Sequence, residues 1–496
     1  MTSIRTTAAS ALRMVERSDL LKQSAFIGGE WISPDPGKQL EILNPANGEV
    51  LGVVPNLGRA ETTEAIKFAQ EALKPWRKKT SNERADILLN WYRLVMENKE
   101  ALAALMTLEQ GRPLASARGE IEYAATFVRW FAEECRRVYG DIIPQPQADT
   151  RTMVLKEPIG VCAAITPWNM PAAMVTRKVA PALASGCTVI LKPAEETPFC
   201  ALALAALADK AGVPPGVLNL VTGDPDPIGK ELTTNPTVRK VTFTGSTEVG
   251  RKLLHQCADT VKKVSLELGG NSPFIVFDDA DIEAAVDGLV QSKFRNSGQT
   301  CVCANRVFIQ EGIYDEFVRL FTERARNLKV GCGFDDEVQQ GPLINPGAIG
   351  KIEAHIADAV AHGANLLLGG QRHKLGGNFF EPTVLSDIAP SMRISKEEIF
   401  GPVAPLSRFR TEEEVLQRAN DTEYGLAAYI YTTNLGRSVR MTEELDVGVV
   451  GINKGVFATE VAPFGGRKQS GIGMEGSKYG IEEYLELKRV TVGGVD

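Results

Sequence analysis

The stretch TVILKPAEETPFCALALAALADKAG, residues 188–212, contains the pattern from which the fold of this chain is predicted. Its first five residues are β-prone and apolar up to a closing lysine, which is typical of a buried strand. A short turn follows, and Thr197 with Pro198 begins an alanine- and leucine-rich helix that ends at Gly212. The stretch therefore predicts one strand followed by one helix.

The same order of elements recurs on both sides of this unit. Residues 159–166 form an apolar run before a helical stretch that ends at Gly186, and residues 217–221 predict the next strand. A further strand at 240–244 (KVTFT) leads into a helix at Gly245. Repeated strand–helix–strand units with nearly continuous apolar strands indicate a parallel, doubly wound sheet.

A second region of alternation begins at residues 273–278 (PFIVFD). A helix over 281–294, a strand over 306–310 and a helix over 314–328 follow. Because the pattern starts again, we predict a second α/β domain. The fold class is therefore α/β, with two doubly wound parallel-sheet domains.

Both ends of the chain lie outside this alternation. Thr80 and Glu83 form a capping box ahead of an apolar-periodic run over 87–108, which Gly111 stops. The β-prone segment 484–492 (YLELKRVTV) has no neighbouring strand in sequence. An isolated strand must pair with something, and the sheet of a partner subunit is a reasonable candidate.

Composition excludes several classes of protein. A chain of 496 residues is too long for one hydrophobic core. Its 62 acidic and 55 basic residues are interspersed and give a net charge of -7, so neither a nucleic-acid partner nor attraction to a membrane surface is predicted. No apolar run reaches the length of a membrane span, roughly 18 residues.

The eight cysteines are scattered without a disulfide framework, which predicts reduced thiols in the cytoplasm. The four histidines never pair with cysteine at ligand spacing, so no metal site is predicted. The first twenty residues, with Arg5, Arg13 and Arg17, lack the apolar segment of a secretory signal. A short transit peptide has only weak support there.

Residues 471–476 (GIGMEG) match the dinucleotide fingerprint formally. The fingerprint requires a preceding strand and a following helix with an acidic residue roughly 20 positions later in a βαβ unit. The preceding residues 463–470 (PFGGRKQS) do not have a strand pattern, and only twenty residues follow the match. We interpret this stretch as a glycine-rich loop. Gly245 and Ser246 are better placed for a pyrophosphate, because they open a helix directly after a strand.

Lys192 and Glu195 follow a strand end, where they could hydrogen-bond ribose hydroxyls. Solvated turn charges are the alternative interpretation. In LELGGNSP (266–273), Glu267 is either a buried, paired structural group or a general base. In SGQTCVC (297–303), Cys301 is a candidate nucleophile or an inert packing residue, and the absence of a nearby histidine counts against a cysteine protease.

Seven motifs in one order carry a family resemblance. They are TPWNMP (166–171), KPAEETP (192–198), FTGSTEVG (243–250), LELGGNSP (266–273), GQTCVCANR (298–306), EEIFGP (397–402) and APFGG (462–466). The chain resembles the aldehyde dehydrogenase superfamily over nearly its whole length, and its closest likeness is to the succinate-semialdehyde dehydrogenases.

The resemblance implies a two-step oxidation of an aldehyde. Cys301 would attack the carbonyl as a thiolate, and the Asn169 amide with the Cys301 backbone N–H would hold the oxyanion. Hydride transfer from the thiohemiacetal would leave a thioester. Glu267 would then activate the water that releases a free carboxylate.

The resemblance also implies a nicotinamide cofactor along the first sheet. Lys192 and Glu195 would hold the adenosine ribose, and Gly245 and Ser246 the pyrophosphate. The implied residues nearer the nicotinamide are Trp168, Leu268, Glu398 and Phe400. Because a carboxylate at Glu195 accepts a free 2′-hydroxyl and repels a 2′-phosphate, NAD is preferred and NADP is the alternative.

Substrate choice is implied by Arg177 and Arg295, which would clamp an anionic tail. Succinate semialdehyde is the expected substrate. Where semialdehyde enzymes usually present a serine to the tail, this chain has Ala458 and Thr459, so Thr459 replaces the serine or the substrate is glutarate semialdehyde or sulfolactaldehyde. A general aldehyde dehydrogenase and a catalytically silent structural member are the remaining alternatives.

The family frame divides the chain into three parts. Residues 1–134 and 157–266 would form the NAD-binding domain and 267–479 the catalytic domain. Residues 135–156 and 480–496 would form a small β bridging element that joins a dimer or tetramer. Cys303 is either a packing residue or the partner of Cys301 in a reversible oxidative off-switch.

Overall fold

The computed structural model of the protein describes residues 7–495. Arg5 of the arginine-rich N-terminus and the outermost ends of the predicted segments 1–134 and 480–496 lie outside the described residues. The helices are Ala8–Arg17, Arg59–Arg77, Ser81–Glu97, Lys99–Gln110, Leu114–Glu134, Ala173–Ser185, Pro198–Lys210, Pro225–Thr234, Thr247–Ala258, Ile282–Phe294, Tyr314–Arg326, Pro346–Ala361, Arg393–Lys396, Glu412–Asn420, Leu435–Glu444 and Ser477–Glu482.

The first sheet has eight strands, and the five in its centre are parallel. In spatial order the strands are Glu30–Ile32, Ala25–Ile27, Leu218–Leu220, Thr188–Lys192, Val161–Ile165, Val238–Thr244, Lys263–Glu267 and Gly471–Ile472. The chain order reverses between Val161–Ile165 and Val238–Thr244. In doubly wound sheets such a switch point opens a crevice at the carboxyl ends of the strands, where ligands bind.

The second sheet has seven strands, which are parallel except for the first. In spatial order they are Asn365–Leu368, Thr383–Ser386, Val403–Phe409, Ala304–Gln310, Ser272–Val276, Ala427–Tyr431 and Val449–Ile452. The prediction of an α/β fold with two doubly wound sheets is confirmed. A separate two-stranded pair joins Gln39–Leu43 with Val50–Pro55, and another joins Tyr424–Gly425 with Arg467–Lys468.

A small third sheet contains the C-terminal strand Leu485–Val492. This strand pairs antiparallel with Arg151–Pro158 of the same chain over its full length, and Asp141–Ile143 adds the other edge. The C-terminal strand therefore has a partner within its own chain. Its outer edge has no neighbouring strand among residues 7–495, and pairing of that edge with a partner subunit stays a prediction. The partner strand Arg151–Pro158 lies more than 300 residues earlier in the chain. Local sequence patterns do not reveal pairing over such a separation.

Most helix ends agree with the caps and stop signals in the sequence. The structure corrects three predictions, two for helices and one for a loop. The periodic run over 87–108 is two helices, because Asn98 interrupts the run between Ser81–Glu97 and Lys99–Gln110. Thr197 makes no side-chain cap, and the buried Glu109 carboxylate instead accepts the Phe199 and Cys200 N–H groups, both at 2.8 Å. The expected loop over 471–476 supplies a two-residue strand at the edge of the first sheet.

In residues 7–495, no helix combines the length and the apolar character that crossing a membrane requires. The same residues contain no cluster of three or more histidine, cysteine, aspartate or glutamate side chains arranged to hold a metal ion.

Candidate active site

The carboxyl ends of three parallel strands lie close together near the switch point of the first sheet. Val161–Ile165 leads into Asn169, Val238–Thr244 into Gly245, and Lys263–Glu267 ends on Glu267 itself. Cys301 lies on a turn just before strand Ala304–Gln310 of the second sheet. Side chains of both sheets therefore converge on one region.

A cavity of about 330 Å³ lies where these chain segments meet. Of the predicted site residues, it is lined by Trp168, Asn169, Gly245, Ser246, Glu267, Leu268, Cys301, Glu398 and Phe400. Lys192, Glu195, Arg177, Arg295 and Thr459 do not line it. The cavity thus brings together the predicted catalytic trio and most of the predicted cofactor residues.

Cys301 is partly accessible in this cavity, whereas Cys303 is buried. Burial raises the pKa of the Cys301 thiol to about 12, the carboxylates of Glu398 and Glu267 act in the same direction, and Arg177 opposes them. A thiol in this environment is protonated at neutral pH. Nucleophilic attack therefore requires that a proton be removed.

Asn169 is buried, and its Nδ2 donates one hydrogen bond to the Gln299 carbonyl at 3.0 Å. An amide nitrogen has two N–H groups, so one remains for a ligand in the cavity. Since Gln299 is two residues before Cys301, this bond holds the amide close to the cysteine turn.

Glu267 is 4% exposed, and neither carboxylate oxygen has a hydrogen-bond partner among residues 7–495. Burial raises the pKa of Glu267 well above its usual value; the Glu475 carboxylate raises it further, and Arg177 and Lys178 oppose the shift. A buried carboxyl of this kind can take a proton from water near neutral pH.

A cluster of three buried charges lies behind this carboxylate. Lys178 Nζ donates to Glu475 Oε1 at 2.5 Å, and Arg177 Nε lies 2.8 Å from Glu475 Oε2. Although burial opposes it, Lys178 and Arg177 hold the pKa of Glu475 below its usual value. Arg177 was expected to be free for a substrate, but the structure pairs it with Glu475.

Sequence reasoning missed Glu475 and Lys178. Glu475 belongs to the glycine-rich stretch 471–476 that we had set aside, and Lys178 is a fully buried lysine in the helix Ala173–Ser185. A lysine next to an arginine in an otherwise apolar helix was the available signal for a buried ion cluster.

The side of the cavity predicted to hold nicotinamide is aromatic and acidic. Trp168 and Phe400 meet edge to face with ring centroids 5.5 Å apart. Phe400 has a φ of +56°, which is unusual for a bulky residue and indicates that its environment fixes it. Glu398 accepts the Gly270 N–H at 3.1 Å, and burial raises its pKa to about 7.

The pyrophosphate prediction places Gly245 and Ser246 at the start of helix Thr247–Ala258. Ser246 caps this helix by accepting the Val249 N–H. A Cβ on Gly245 would lie 2.3 Å from the Phe243 ring, so only glycine fits this turn. Free N–H groups at a helix start suit a phosphate, and the residues present fit a nicotinamide dinucleotide.

Lys192 and Glu195 form an ion pair with each other at the end of strand Thr188–Lys192. The lysine is buried, and its Nζ also donates to the Pro193 carbonyl, whereas the carboxylate is about one-third exposed. Neither group is simply a solvated turn charge.

Arg295 lines a smaller cavity beside Thr300, the residue before Cys301. Ala458 and Phe464 line the same cavity. Arg295 has no ion-pair partner among the described residues, and its guanidinium is available to an anion. Thr459 lies outside the lining, where its hydroxyl donates to Glu460 at 3.4 Å.

Arg177 packs against Phe464, which also lines the cavity of Arg295. Its guanidinium carbon lies 4.3 Å from the centre of that ring, and its buried Nη2 has no hydrogen-bond partner within residues 7–495.

Cys303 is 1% exposed, and its thiol donates to the Lys293 carbonyl at 3.5 Å. Burial raises the pKa of this thiol, and the Lys293 ammonium opposes the shift. Lys293 is fully buried beside the cysteine turn, and burial lowers its pKa.

Comparison with known proteins agrees with this geometry. Residues 31–490 match the aldehyde dehydrogenase family. The chain is 58% identical to the NADP(+) succinate-semialdehyde dehydrogenase of Escherichia coli (strain K12), over 96% of this chain and 99% of that protein. It is 57% identical to the 3-sulfolactaldehyde dehydrogenase of Pseudomonas putida, over 97% of this chain and 100% of that protein.

A solved structure is similarly close. The succinate-semialdehyde dehydrogenase from Burkholderia pseudomallei superposes with a TM-score of 0.95 at 58% identity, covering 96% of this chain and 98% of that one. Cavity, fold and sequence all lead to the same conclusion: this chain belongs to the aldehyde dehydrogenase family.

Proposed function

We propose that this protein oxidises an aldehyde with an anionic tail to the carboxylate, and that succinate semialdehyde is its substrate. The observation that carries the proposal is the placement of Cys301, Glu267 and Asn169 in one cavity, with Arg295 in the cavity next to it. The first three provide the chemistry of an aldehyde dehydrogenase. The arginine provides the preference for an acid tail.

The reaction begins when the Cys301 thiol gives its proton to water in the cavity and the thiolate sulfur adds to the aldehyde carbon. The carbonyl oxygen becomes an oxyanion, which the free N–H of Asn169 and the Cys301 backbone N–H stabilise. A bound nicotinamide dinucleotide would supply the hydride acceptor for the thiohemiacetal carbon. The product of this half is a thioester on Cys301.

Glu267 acts in the second step, the hydrolysis of the thioester. Its unpartnered carboxylate takes a proton from water, the resulting hydroxide adds to the thioester, and the C–S bond breaks to release the carboxylate and Cys301. Burial suits this role because a raised pKa makes the ionised carboxylate a stronger base.

For the cofactor we propose NAD, with NADP as the alternative. The Glu195 carboxylate favours a free 2′-hydroxyl over a 2′-phosphate. Its pairing with Lys192 supports the alternative, because the lysine partly offsets the carboxylate charge. The Escherichia coli relative, which bears NADP(+) in its name, supports that alternative as well.

Glutarate semialdehyde and sulfolactaldehyde remain the alternative substrates. The small Ala458 side chain lines the cavity of Arg295, and Thr459 is turned toward Glu460. This leaves more space and one fewer hydroxyl around the tail, which suits a longer or bulkier anion. The Pseudomonas putida relative supports the sulfonate.

We further propose a homo-oligomer, dimer or tetramer, assembled through the three-stranded sheet. Its strands expose apolar side chains, including Ile142 at 79% and Leu487 at 70%. The proposed division is a cofactor domain (1–134 and 157–266), a catalytic domain (267–479) and this bridging element (135–156 and 480–496). Eight unpaired cysteines support a reducing compartment, and the cytoplasm is proposed.

A redox role for Cys303 is also proposed: Cys301 and Cys303 would join in a short disulfide that blocks the nucleophile. Lys293 supports this role because a nearby ammonium favours the thiolate. Complete burial of Cys303 favours simple packing instead.

The test compares NAD and NADP reduction by the purified enzyme with succinate semialdehyde, glutarate semialdehyde, sulfolactaldehyde and hexanal. The proposal requires kcat/KM for an acid-tailed aldehyde to exceed that for hexanal clearly. Equal values would identify a general aldehyde dehydrogenase. No turnover with any of the four would identify a silent structural member of the family.

A further inference from the structure

The turn that carries Cys301 is preceded by an unusual backbone. Asn296 and Ser297 both adopt left-handed conformations, with φ/ψ of 50°/38° and 57°/30°, and Gly298 follows with a φ of +75°. Non-glycine residues rarely occupy this region, and they persist there only where surrounding contacts determine the conformation.

The contacts that hold this backbone come from the Asn296 side chain. Its Oδ1 accepts from Gln110 Nε2 at 3.1 Å and from Arg112 Nε at 3.2 Å. Its Nδ2 donates to the Asn169 carbonyl at 3.0 Å and to the Gln299 carbonyl at 3.3 Å. All five residues are buried.

Arg112 reinforces the same connection. Its Nη2 donates to the Asn169 carbonyl at 2.8 Å, and its Nη1 is ion-paired with Glu120. Glu120 in turn accepts the N–H groups of Ala172 and Ala173 at the start of the helix that follows Asn169. The loop of Asn169 is thus fixed from both ends.

We propose that Asn296 and Arg112 are positioning residues that set the distance between the Asn169 amide and the Cys301 sulfur. They connect the loop after strand Val161–Ile165 to the cysteine turn of the second sheet. The inference rests on the proposed function, in which Asn169 holds the oxyanion. Neither residue lines the active-site cavity, so both act through Asn169 and the turn.

This arrangement predicts an effect on the chemical step. A displacement of the oxyanion donor by about 1 Å can cost roughly 100-fold in rate. Substrate binding would change little, because it depends mainly on the anionic tail of the aldehyde. The expected signature is a loss in kcat with KM nearly unchanged.

The first variant is Asn296→Gly, because glycine keeps the left-handed backbone and removes only the amide. Ser297→Gly is the matched control, since Ser297 has the same backbone conformation but its hydroxyl donates only to the Gly341 carbonyl. Arg112→Lys is the second variant. Lysine keeps a positive charge beside Glu120 but lacks the planar guanidinium that bonds Asn296 and Asn169. This variant therefore tests the inference even if Asn296→Gly folds poorly.

The enzyme is assayed with succinate semialdehyde and with hexanal. We expect Asn296→Gly and Arg112→Lys to lower kcat roughly 10- to 100-fold with both aldehydes, while KM stays within about threefold. Ser297→Gly stays close to wild type. The pre-steady-state burst of NADH slows in the two variants, since acylation is the step affected.

A double variant separates positioning from general damage. Asn169→Ala removes the donor itself, at a typical cost of about 10²–10³ in kcat. If Asn296 acts through Asn169, adding Asn296→Gly to Asn169→Ala lowers kcat by no more than about threefold further.

The inference would be overturned if the kcat losses of Asn169→Ala and Asn296→Gly multiplied in the double variant. A loss of kcat in Ser297→Gly equal to that in Asn296→Gly would overturn it as well. Wild-type activity in Asn296→Gly and Arg112→Lys would overturn it too. A wild-type enzyme with no preference for the acid-tailed aldehyde contradicts only the proposed substrate. A wild-type enzyme that oxidises neither aldehyde contradicts the proposed function, and the inference with it.

Discussion

At the scale of single residues, burial determines the protonation state of the site. The Cys301 thiol has its pKa raised to about 12 and the Glu398 carboxyl to about 7, and Glu267 is raised well above its usual value. Each group therefore ionises at a higher pH than it would in water. The pH dependence of turnover should report which of them must ionise.

Glu267→Gln tests the role of the base in hydrolysis of the thioester. A raised pKa means that the fraction of ionised Glu267 grows as the pH increases, so wild-type hydrolysis should accelerate with pH. The glutamine variant should keep a burst of NADH and lose this acceleration in steady-state turnover. Cys301→Ala is the control and should show no burst. A glutamine variant without a burst or trapped thioester would assign Glu267 another role.

Arg295→Ala tests the anion clamp. Losing one partner of a desolvated charge pair costs about 2–5 kcal/mol. At about 1.4 kcal/mol per factor of ten, kcat/KM for succinate semialdehyde should fall roughly 30- to several-thousand-fold. Hexanal should be affected little. Arg177→Ala is less informative, because it also leaves Glu475 with one buried cation fewer. Equal losses for both aldehydes would mean that Arg295 supports the fold.

Glu195→Ser tests the choice of cofactor. Without the carboxylate, the 2′-phosphate no longer meets a negative charge and gains the neighbouring Lys192 as a partner. The ratio of kcat/KM for NADP to that for NAD should therefore rise, with kcat for the aldehyde nearly unchanged. A wild-type enzyme that already prefers NADP would show that the carboxylate does not decide the cofactor.

At the scale of elements, the helix Pro198–Lys210 is capped by a residue from another helix. Glu109, at the end of Lys99–Gln110, accepts two N–H groups of the first turn. Burial raises its pKa to about 7, and the hydrogen bonds to Phe199 and Cys200 only partly offset that shift. The contact therefore depends on pH in a range where surface carboxylates do not titrate.

Glu109→Gln should become relatively more stable as the pH rises. Because the pKa in the folded state exceeds that in the unfolded state, the protonated carboxyl favours folding below about pH 4.5 and this contribution is lost by about pH 7. The difference is on the order of 3 kcal/mol. The melting temperature of the glutamine variant, relative to wild type, should be higher at pH 8 than at pH 5.

Glu83→Gln is the matched control for this measurement. Glu83 also caps a helix, but it is exposed, and hydrogen bonds from Thr80 lower its pKa. Its contribution is lost only as the pH falls below the usual carboxylate range. The effect of Glu83→Gln should thus be nearly the same at pH 5 and pH 8. A Glu109→Gln effect that does not vary with pH would contradict the buried-acid interpretation.

In the molecule as a whole, the three-stranded sheet has two edge strands without an outer neighbour among residues 7–495. Its edge strands Asp141–Ile143 and Leu485–Val492 carry unpaired backbone groups and exposed apolar side chains. Natural proteins normally cover or charge such edges. A second copy of the chain would cover them.

Leu487→Glu combined with Ile142→Glu should weaken assembly, because charged groups are costly at the core of an interface. Sedimentation velocity should show a smaller species with these substitutions than with wild type. Leu435→Glu is the control, since Leu435 is 78% exposed in helix Leu435–Glu444 of the second α/β unit. An unchanged sedimentation coefficient for the double variant would place the interface elsewhere.

The fold class and the three residues of the proposed catalytic trio could be predicted from the amino-acid sequence. Strand–helix alternation is a local pattern, since burial on both faces of a parallel strand and the caps of a helix depend on residues a few positions apart. Residues 188–212 therefore predicted their strand and helix correctly. Cys301, Glu267 and Asn169 stand in motifs with a fixed order along the chain, and the cavity contains all three.

Contacts between residues far apart in the chain could be identified only from the folded structure. Glu475 reaches Arg177 and Lys178 across nearly 300 residues, and Asn296 reaches Arg112 across 184. The C-terminal strand finds its partner within the same chain. Such contacts depend on how the two sheets and their loops pack against each other. They cannot be predicted from the spacing of residues along the chain. The preorganisation of the site is therefore a property of the folded molecule, while its chemistry is readable in the sequence.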